Sequence, residues 1–258
     1  MRLLKRILSA AAVLALSASL LVGCSSGTAS SVPVSASSAA ESTVSSVEET
    51  ASSAVDENEA AAAQLLNDLT GSYQELWPVI LADEYKQTWL DDCTALVGED
   101  NAEAAFEKLS SMVTGDVYGE DAVKAYANGG GAYFCGFTNS LATLTFDGET
   151  STISGTDKDG NVLFSHTYHY IGMEPVRGLY EFESDDADSG EFTYFFLAPD
   201  TSAETYHIEF RYGSDADALS QYDAGEYAYW VASGISTDCD QTMIDNCIEL
   251  FCTENLAG

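Results

Sequence analysis

Residues 192–213 read FTYFFLAPDTSAETYHIEFRYG, two strand-like runs on either side of a Pro199-Asp200-Thr201-Ser202 turn. Alternation along the second run puts Thr205, His207, Glu209 and Arg211 on one face and Tyr206, Ile208, Phe210 and Tyr212 on the other. The apolar face is suited to packing in a core. The other gathers an imidazole, a carboxylate and a guanidinium. Whether that face looks into a barrel or away from it decides what those groups can do.

Working outward, the chain before this hairpin keeps the same short, β-branched and aromatic texture. Tyr133 to Phe137, Leu141 to Phe146, Thr150 to Ile153, Asn161 to Tyr170 and Leu179 to Phe182 all read as strands, with Lys158-Asp159-Gly160 as a turn. Six or seven strands at regular spacing predict a small sandwich or barrel with hairpin connections. Upstream the period changes to that of helices. Residues 57–68 are rich in Ala, Leu, Gln and Glu, and Asp68-Leu69-Thr70-Gly71 interrupts them. A second helical segment is expected from Ser72, with Trp77, Ile80, Leu81, Tyr85 and Trp89 along one face. Ala105, Phe106, Leu109 and Met112 mark a helix over 101–112, capped by Asp100 or Asn101, and 119–127 offers a shorter one. Residues 238–254 read as a closing helix with Met243, Cys247, Ile248 and Phe251 inward. The fold class expected is α+β with a β-dominated centre: N-terminal helices, an antiparallel β-barrel and a C-terminal helix.

The N-terminus is a processing signal. Arg2, Lys5 and Arg6 precede an apolar run from Ile7 to Leu21 that is too short for a spanning helix. Leu21-Val22-Gly23-Cys24 then resembles the lipobox of bacterial lipoproteins, which implies a signal peptide over 1–23 and a lipid on Cys24. Residues 24–60 are Ser, Ala, Thr, Val and Glu without aromatics, a composition that cannot offset its ordering entropy, so a disordered tether is expected before a folded domain over 61–258. The expected location is the outer face of a cell membrane.

The formal net charge is −33, and losing the three cations of the leader takes it to about −36. Such a chain is repelled by nucleic acid and by anionic lipid, so membrane contact is expected through the anchor alone. The same field attracts divalent cations. Five cysteines follow Cys24, at 93, 135, 239, 247 and 252. Outside the cytoplasm they allow up to two disulfides, one of them expected to tie down the final helix.

Several stretches together resemble the ZinT (YodA) family of lipocalin-like zinc-binding proteins, found outside the bacterial cytoplasm and also fused to zinc-uptake lipoproteins. The stretches are Leu69-Thr-Gly-Ser-Tyr-Gln-Glu-Leu-Trp-Pro78, Tyr168-His-Tyr-Ile-Gly172 with Val176-Arg-Gly-Leu-Tyr-Glu181, Tyr206-His-Ile-Glu-Phe-Arg-Tyr-Gly213 and Tyr227-Ala-Tyr-Trp230. The resemblance implies a lipocalin-like barrel, bound zinc and a zinc-uptake transporter as partner. It also implies zinc ligands that this chain keeps only in part. Where the family has a His-x-His strand, Tyr206 stands before His207 in this second hairpin strand, and the strand before it ends Ala198-Pro199-Asp200 without a histidine. The family's His-rich N-terminal loop is replaced by the Ser/Ala tether.

The metal ligands open to the chain are therefore His207 and Glu209, two apart on one strand face, Asp200 at the turn, and His166 or His169 on the long strand. Arg211, on the same face as Glu209, could instead neutralise it. A second reading makes the barrel a binder of a small organic ligand, with Tyr168, Tyr170 and Tyr212 in an aromatic mouth. No nucleophile elbow, phosphate loop or nucleotide fingerprint occurs, so no enzymatic activity is expected.

Overall fold

The computed structural model describes residues 57–126, 131–198 and 207–256. The expected signal peptide, Cys24, the tether up to residue 56 and Asp200 lie outside the described residues. The last four tether residues, 57–60, already belong to a helix, α1 (57–68). Its Ala62, Leu65 and Leu66, at helical spacing, join the barrel core together with Leu69.

The expected second helical segment is corrected: Gly71–Glu75 is a strand, β1, and helix starts only at Leu76. Gln, Glu, Leu and Trp favour helix here, but Tyr73 is held between two strands and tertiary pairing overrides the local preference. The remaining strands are β2 (Thr143–Asp147), β3 (Thr152–Thr156), β4 (Val162–Met173), β5 (Tyr180–Ser184), β6 (Tyr194–Leu197), β7 (His207–Gly213) and β8 (Ala232–Ser236). They form a closed antiparallel barrel in chain order. The seam pairs β1 with β8 through Tyr73↔Ser236, Gln74↔Ile235 and Glu75↔Gly234. Tyr133 to Phe137 is not a strand. Phe134 makes isolated bridges to Thr114 and Trp230, and the segment lends Phe137 and Leu141 to the barrel core.

The barrel interior is filled with side chains. Phe195 on β6 has ring neighbours in Phe164, Tyr168, Phe210 and Tyr212 at 5.9, 5.4, 6.4 and 5.4 Å. Trp230 closes on Tyr212 edge-to-face at 4.9 Å and donates through Nε1 to Gly136 O. Tyr212 Oη donates to Thr138 O and accepts from Thr138 N. Close packing of this kind leaves aromatic rings as structure rather than as the lining of a hollow.

A second core lies outside the barrel. Helices α2 (Leu76–Ile80), α3 (Lys86–Val97), α4 (Glu99–Val113) and α7 (Gln241–Leu256) bury Trp77, Ile80, Trp89, Leu109 and Ile248 in one cluster with Ile235, a β8 residue. Short helices α5 (Glu120–Tyr126) and α6 (Ala216–Leu219) sit in the connections. Gly98, at φ +84°, separates α3 from α4, a left-handed turn that glycine adopts without strain. The α4 helix starts at Glu99, and neither Asp100 nor Asn101 caps it. Met112 is exposed, so the buried stripe is Ala102, Ala105 and Leu109. In α7 the buried face is Ile244, Cys247, Ile248 and Cys252, one position on from Met243. No disulfide joins the five described cysteines in this structure, and at the closing helix Cys93 Sγ and Cys252 Sγ lie 3.9 Å apart.

Candidate functional site

The strand β7 sorts its side chains as alternation requires. Ile208, Phe210 and Tyr212 enter the barrel core, so His207, Glu209 and Arg211 project from the outer face. Opposite them on β8, Ile235 faces His207 and Ser233 faces Glu209, and Ile235 belongs to the helix-side core. The polar face therefore looks toward the helical layer, not into the barrel. His207 is half-buried and Glu209 exposed, whereas Arg211 is fully enclosed at 0% exposure.

The loop after β7 encloses Arg211. Its guanidinium donates to the main-chain carbonyls of Leu219 and Tyr227, reaches Gln221 O at 3.4 Å, and stands 4.4 Å from the ring centre of Tyr222. Burial pulls the Arg211 pKa below its usual value. The same Tyr222 ring takes Arg177 at 4.1 Å, and burial beside Glu174 pushes its hydroxyl up to about 12. Arg211 thus serves the carbonyls of the 219–227 loop, and among the described residues it forms no ion pair with a carboxylate.

Beside Glu209, a cleft of about 180 Å³ opens between the outer face and the helices. Glu209 and Ser233 come from the sheet, Trp77 from α2, Phe251 from α7, and Cys135 and Arg177 from connecting segments. Arg177 donates to Tyr133 Oη at 3.0 Å. Trp77 Nε1 is buried without a hydrogen-bond partner, a cost to the fold unless something fills the donor's direction. Burial, and after it the Glu209 carboxylate, pushes the thiols of Cys135 and Cys247 each up to about 12. Both stay protonated at neutral pH, so neither is a ready nucleophile.

The other two histidines are elsewhere. On β4, His166 alternates with Phe164 and Tyr168 and turns toward the barrel interior, where its Nδ1 meets Asp186 Oδ2 at 2.8 Å. His169 takes the opposite face, is exposed, and meets Asp185 Oδ1 through Nδ1 at 2.7 Å. Between β4 and β7 stand β5 and β6, and the ring of His166 and the ring of His207 occupy opposite sides of the barrel wall. The structure thus brings His207 together with Glu209 and brings neither His166 nor His169 to them. Among the described residues no group of three His, Cys, Asp or Glu side chains is arranged to hold a metal ion.

Sequence reasoning missed the cleft. Trp77, Cys135, Arg177 and Phe251 come from four separate parts of the chain, and no local pattern links them. The Asp185-Asp186 pair was visible as an acidic dipeptide, but its role in bracing two histidines through Nδ1 follows only from the β4–β5 register.

No family model and no curated protein matches the chain. Among solved structures, the fold is similar to the Zn(II)-bound ZinT-like domain of Streptococcus pneumoniae AdcA, at 16% identity over 71% of this chain and 89% of that chain, with a TM-score of 0.45. It is also similar to Zn(II)-bound AdcA from Streptococcus pneumoniae, at 15% identity and a TM-score of 0.43, over 72% of this chain and 35% of that one. The bound zinc is a property of those proteins. What this chain itself contributes is a closed eight-stranded barrel with His207 and Glu209 two residues apart on the outer face of β7.

Proposed function

We propose that this domain is an extracytoplasmic zinc-binding module, anchored by a lipid on Cys24, that collects zinc and passes it to an uptake transporter rather than catalysing a reaction. The observation carrying this reading is the shared outer face of His207 and Glu209 at the start of β7. Imidazole and carboxylate are both first-choice zinc donors, and Asp200 stands seven residues before His207 in the sequence. A net charge of −33 supports it, since it concentrates divalent cations near the surface. The tether suits a carrier that has to reach its partner. No helix among the described residues is long and apolar enough to cross a membrane, so attachment in this reading rests on the lipid.

A second reading takes its support from the cleft rather than from the barrel mouth. Tyr168 and Tyr212 are packed in the core, whereas the cleft presents an unpartnered Trp77 Nε1 and a guanidinium beside apolar walls. It would take a small organic ligand with an acceptor group.

Calorimetric titration of the mature chain with zinc separates the two. One bound ion per chain, lost on His207→Ala and weakened on Glu209→Gln and Asp200→Asn, is the expected result. His166→Ala and His169→Ala should leave binding unchanged. Unaltered zinc affinity in His207→Ala sinks the zinc reading, and absence of any zinc binding leaves the cleft as the site to pursue.

A further inference from the structure

The α3 and α7 helices pack against each other on the outside of the barrel, and each presents a cysteine to the other. Cys93 and Cys252 are both fully buried at 0% exposure, with their sulfurs 3.9 Å apart. We propose that these two thiols are a disulfide site, oxidised while the exported chain folds, that staples the closing helix to α3.

Three observations point to this pair. It is the thiol–thiol contact among the five described cysteines. Its partners come from opposite sides of the barrel in sequence, so they meet only when the whole fold is assembled. Finally, a disulfide needs its sulfurs at about 2 Å, and a closure of about 2 Å shared between two side chains lies within rotamer adjustment. The remaining cysteines have other surroundings: Cys135 and Cys247 both feel the Glu209 carboxylate, and Cys239 is only partly buried.

The chemistry is ordinary thiol–disulfide exchange with a disulfide oxidant, R–S–S–R, as co-reactant. The Cys93 thiolate attacks one sulfur of the oxidant and releases R–S⁻. The Cys252 thiolate then attacks the mixed disulfide at Cys93 Sγ and releases the second R–S⁻. Two protein thiols are oxidised, the oxidant is reduced to two R–SH, and the two protons go to the leaving thiolates. Burial raises the pKa of both thiols once the helices have docked, which keeps the assembled pair unreactive. Exchange therefore belongs to the stage before α7 settles, and the finished bond is sheltered from reductant.

The staple also fixes one wall of the cleft. Phe251, next to Cys252, packs edge-to-face on Trp77 at 4.8 Å and on Trp89 at 6.0 Å, and it lines the cleft with Asn255. None of this rests on zinc.

The full chain, exported by its own leader, is denatured in excess alkylating agent and mapped without reduction. The expected result is a peptide pair joining Cys93 to Cys252, two hydrogens lighter than the sum of the free peptides. Native protein should resist a millimolar dithiol that cleaves the bond once urea is present. Thermal unfolding should shift several degrees lower after denaturing reduction and refolding under reductant. The Cys93→Ser/Cys252→Ser double variant should show no such shift, whereas Cys239→Ser should keep it. Alkylation of both Cys93 and Cys252 in the exported chain, or linkage of Cys252 to residue 135, 239 or 247, overturns the proposal. If the double variant does not fold, the map of the wild-type chain decides alone.

Discussion

Replacing Arg211 by methionine should destabilise the fold by about 3 kcal/mol. Exchanging a buried ion pair for apolar groups is often neutral, because both charges leave the interior together. Arg211 is the other case. Its partners are main-chain carbonyls at Leu219, Gln221 and Tyr227, and they remain when the guanidinium is gone. Each acceptor left buried without a donor costs about 1–3 kcal/mol. Two or three such losses, less the relief of no longer burying a charge whose Nε has no partner, leave about 3 kcal/mol. Methionine keeps most of the volume, so the cavity contribution is small. Arg177→Met is the control. It removes a partly exposed guanidinium from the other contact with Tyr222 and should cost about 1 kcal/mol or less. Urea unfolding followed by tryptophan fluorescence measures both, since Trp230 lies 6.0 Å from Tyr227 in the loop that Arg211 holds. An Arg211→Met variant within 1 kcal/mol of wild type would refute the assignment of those carbonyls to this side chain.

Three other outcomes are expected. Phe195→Ala should cost about 3–5 kcal/mol in the same assay, because the ring is fully buried among four aromatic neighbours that cannot close the gap. Gly119→Ala should lower the thermal midpoint by several degrees. Gly119 has φ +71°, and a Cβ there would stand 2.4 Å from Glu226 O. The Asp92 carboxyl is held above its usual pKa, first by burial and then by Glu249, Asp245 and Asp91. A carboxyl raised in the folded state binds its proton more tightly there, so its contribution is favourable below the unfolded pKa and is lost as pH rises through the folded one. Stability should therefore increase as pH falls through the range in which the folded Asp92 takes up its proton, and Asp92→Asn should stabilise the fold slightly at neutral pH, because the group is partly screened by solvent, and flatten that dependence. A steeper slope in Asp92→Asn would contradict the sign.

The β-dominated centre was legible because β4, β5 and β7 alternate cleanly, as Phe164, Tyr168, Phe182, Phe210 and Tyr212 show by turning inward. The two seam strands were not. Gly71–Glu75 carries helix-favouring residues, and Ala232–Ser236 is a run of mostly small residues buried on both faces, with no alternation to detect. Both are strands because each finds the other across the sheet, a long-range fact. The faces of β7 were legible as well: His207, Glu209 and Arg211 do share one. Alternation gives two faces without saying which one other elements will cover. Nothing in the sequence around Arg211 says that the carbonyls of Leu219 and Tyr227 will take its donors, or that α7 will wall the cleft beside Glu209.

The seam has a consequence for how the molecule comes into being. A chain that emerges N-terminus first delivers β1 long before β8, so Gly71–Glu75 waits with an unmatched edge until almost all of the barrel has followed. Until then the emerging sheet is an open, sticky ribbon. The excess of negative charge, whatever it does for cations later, keeps such ribbons from sticking to each other in the interval.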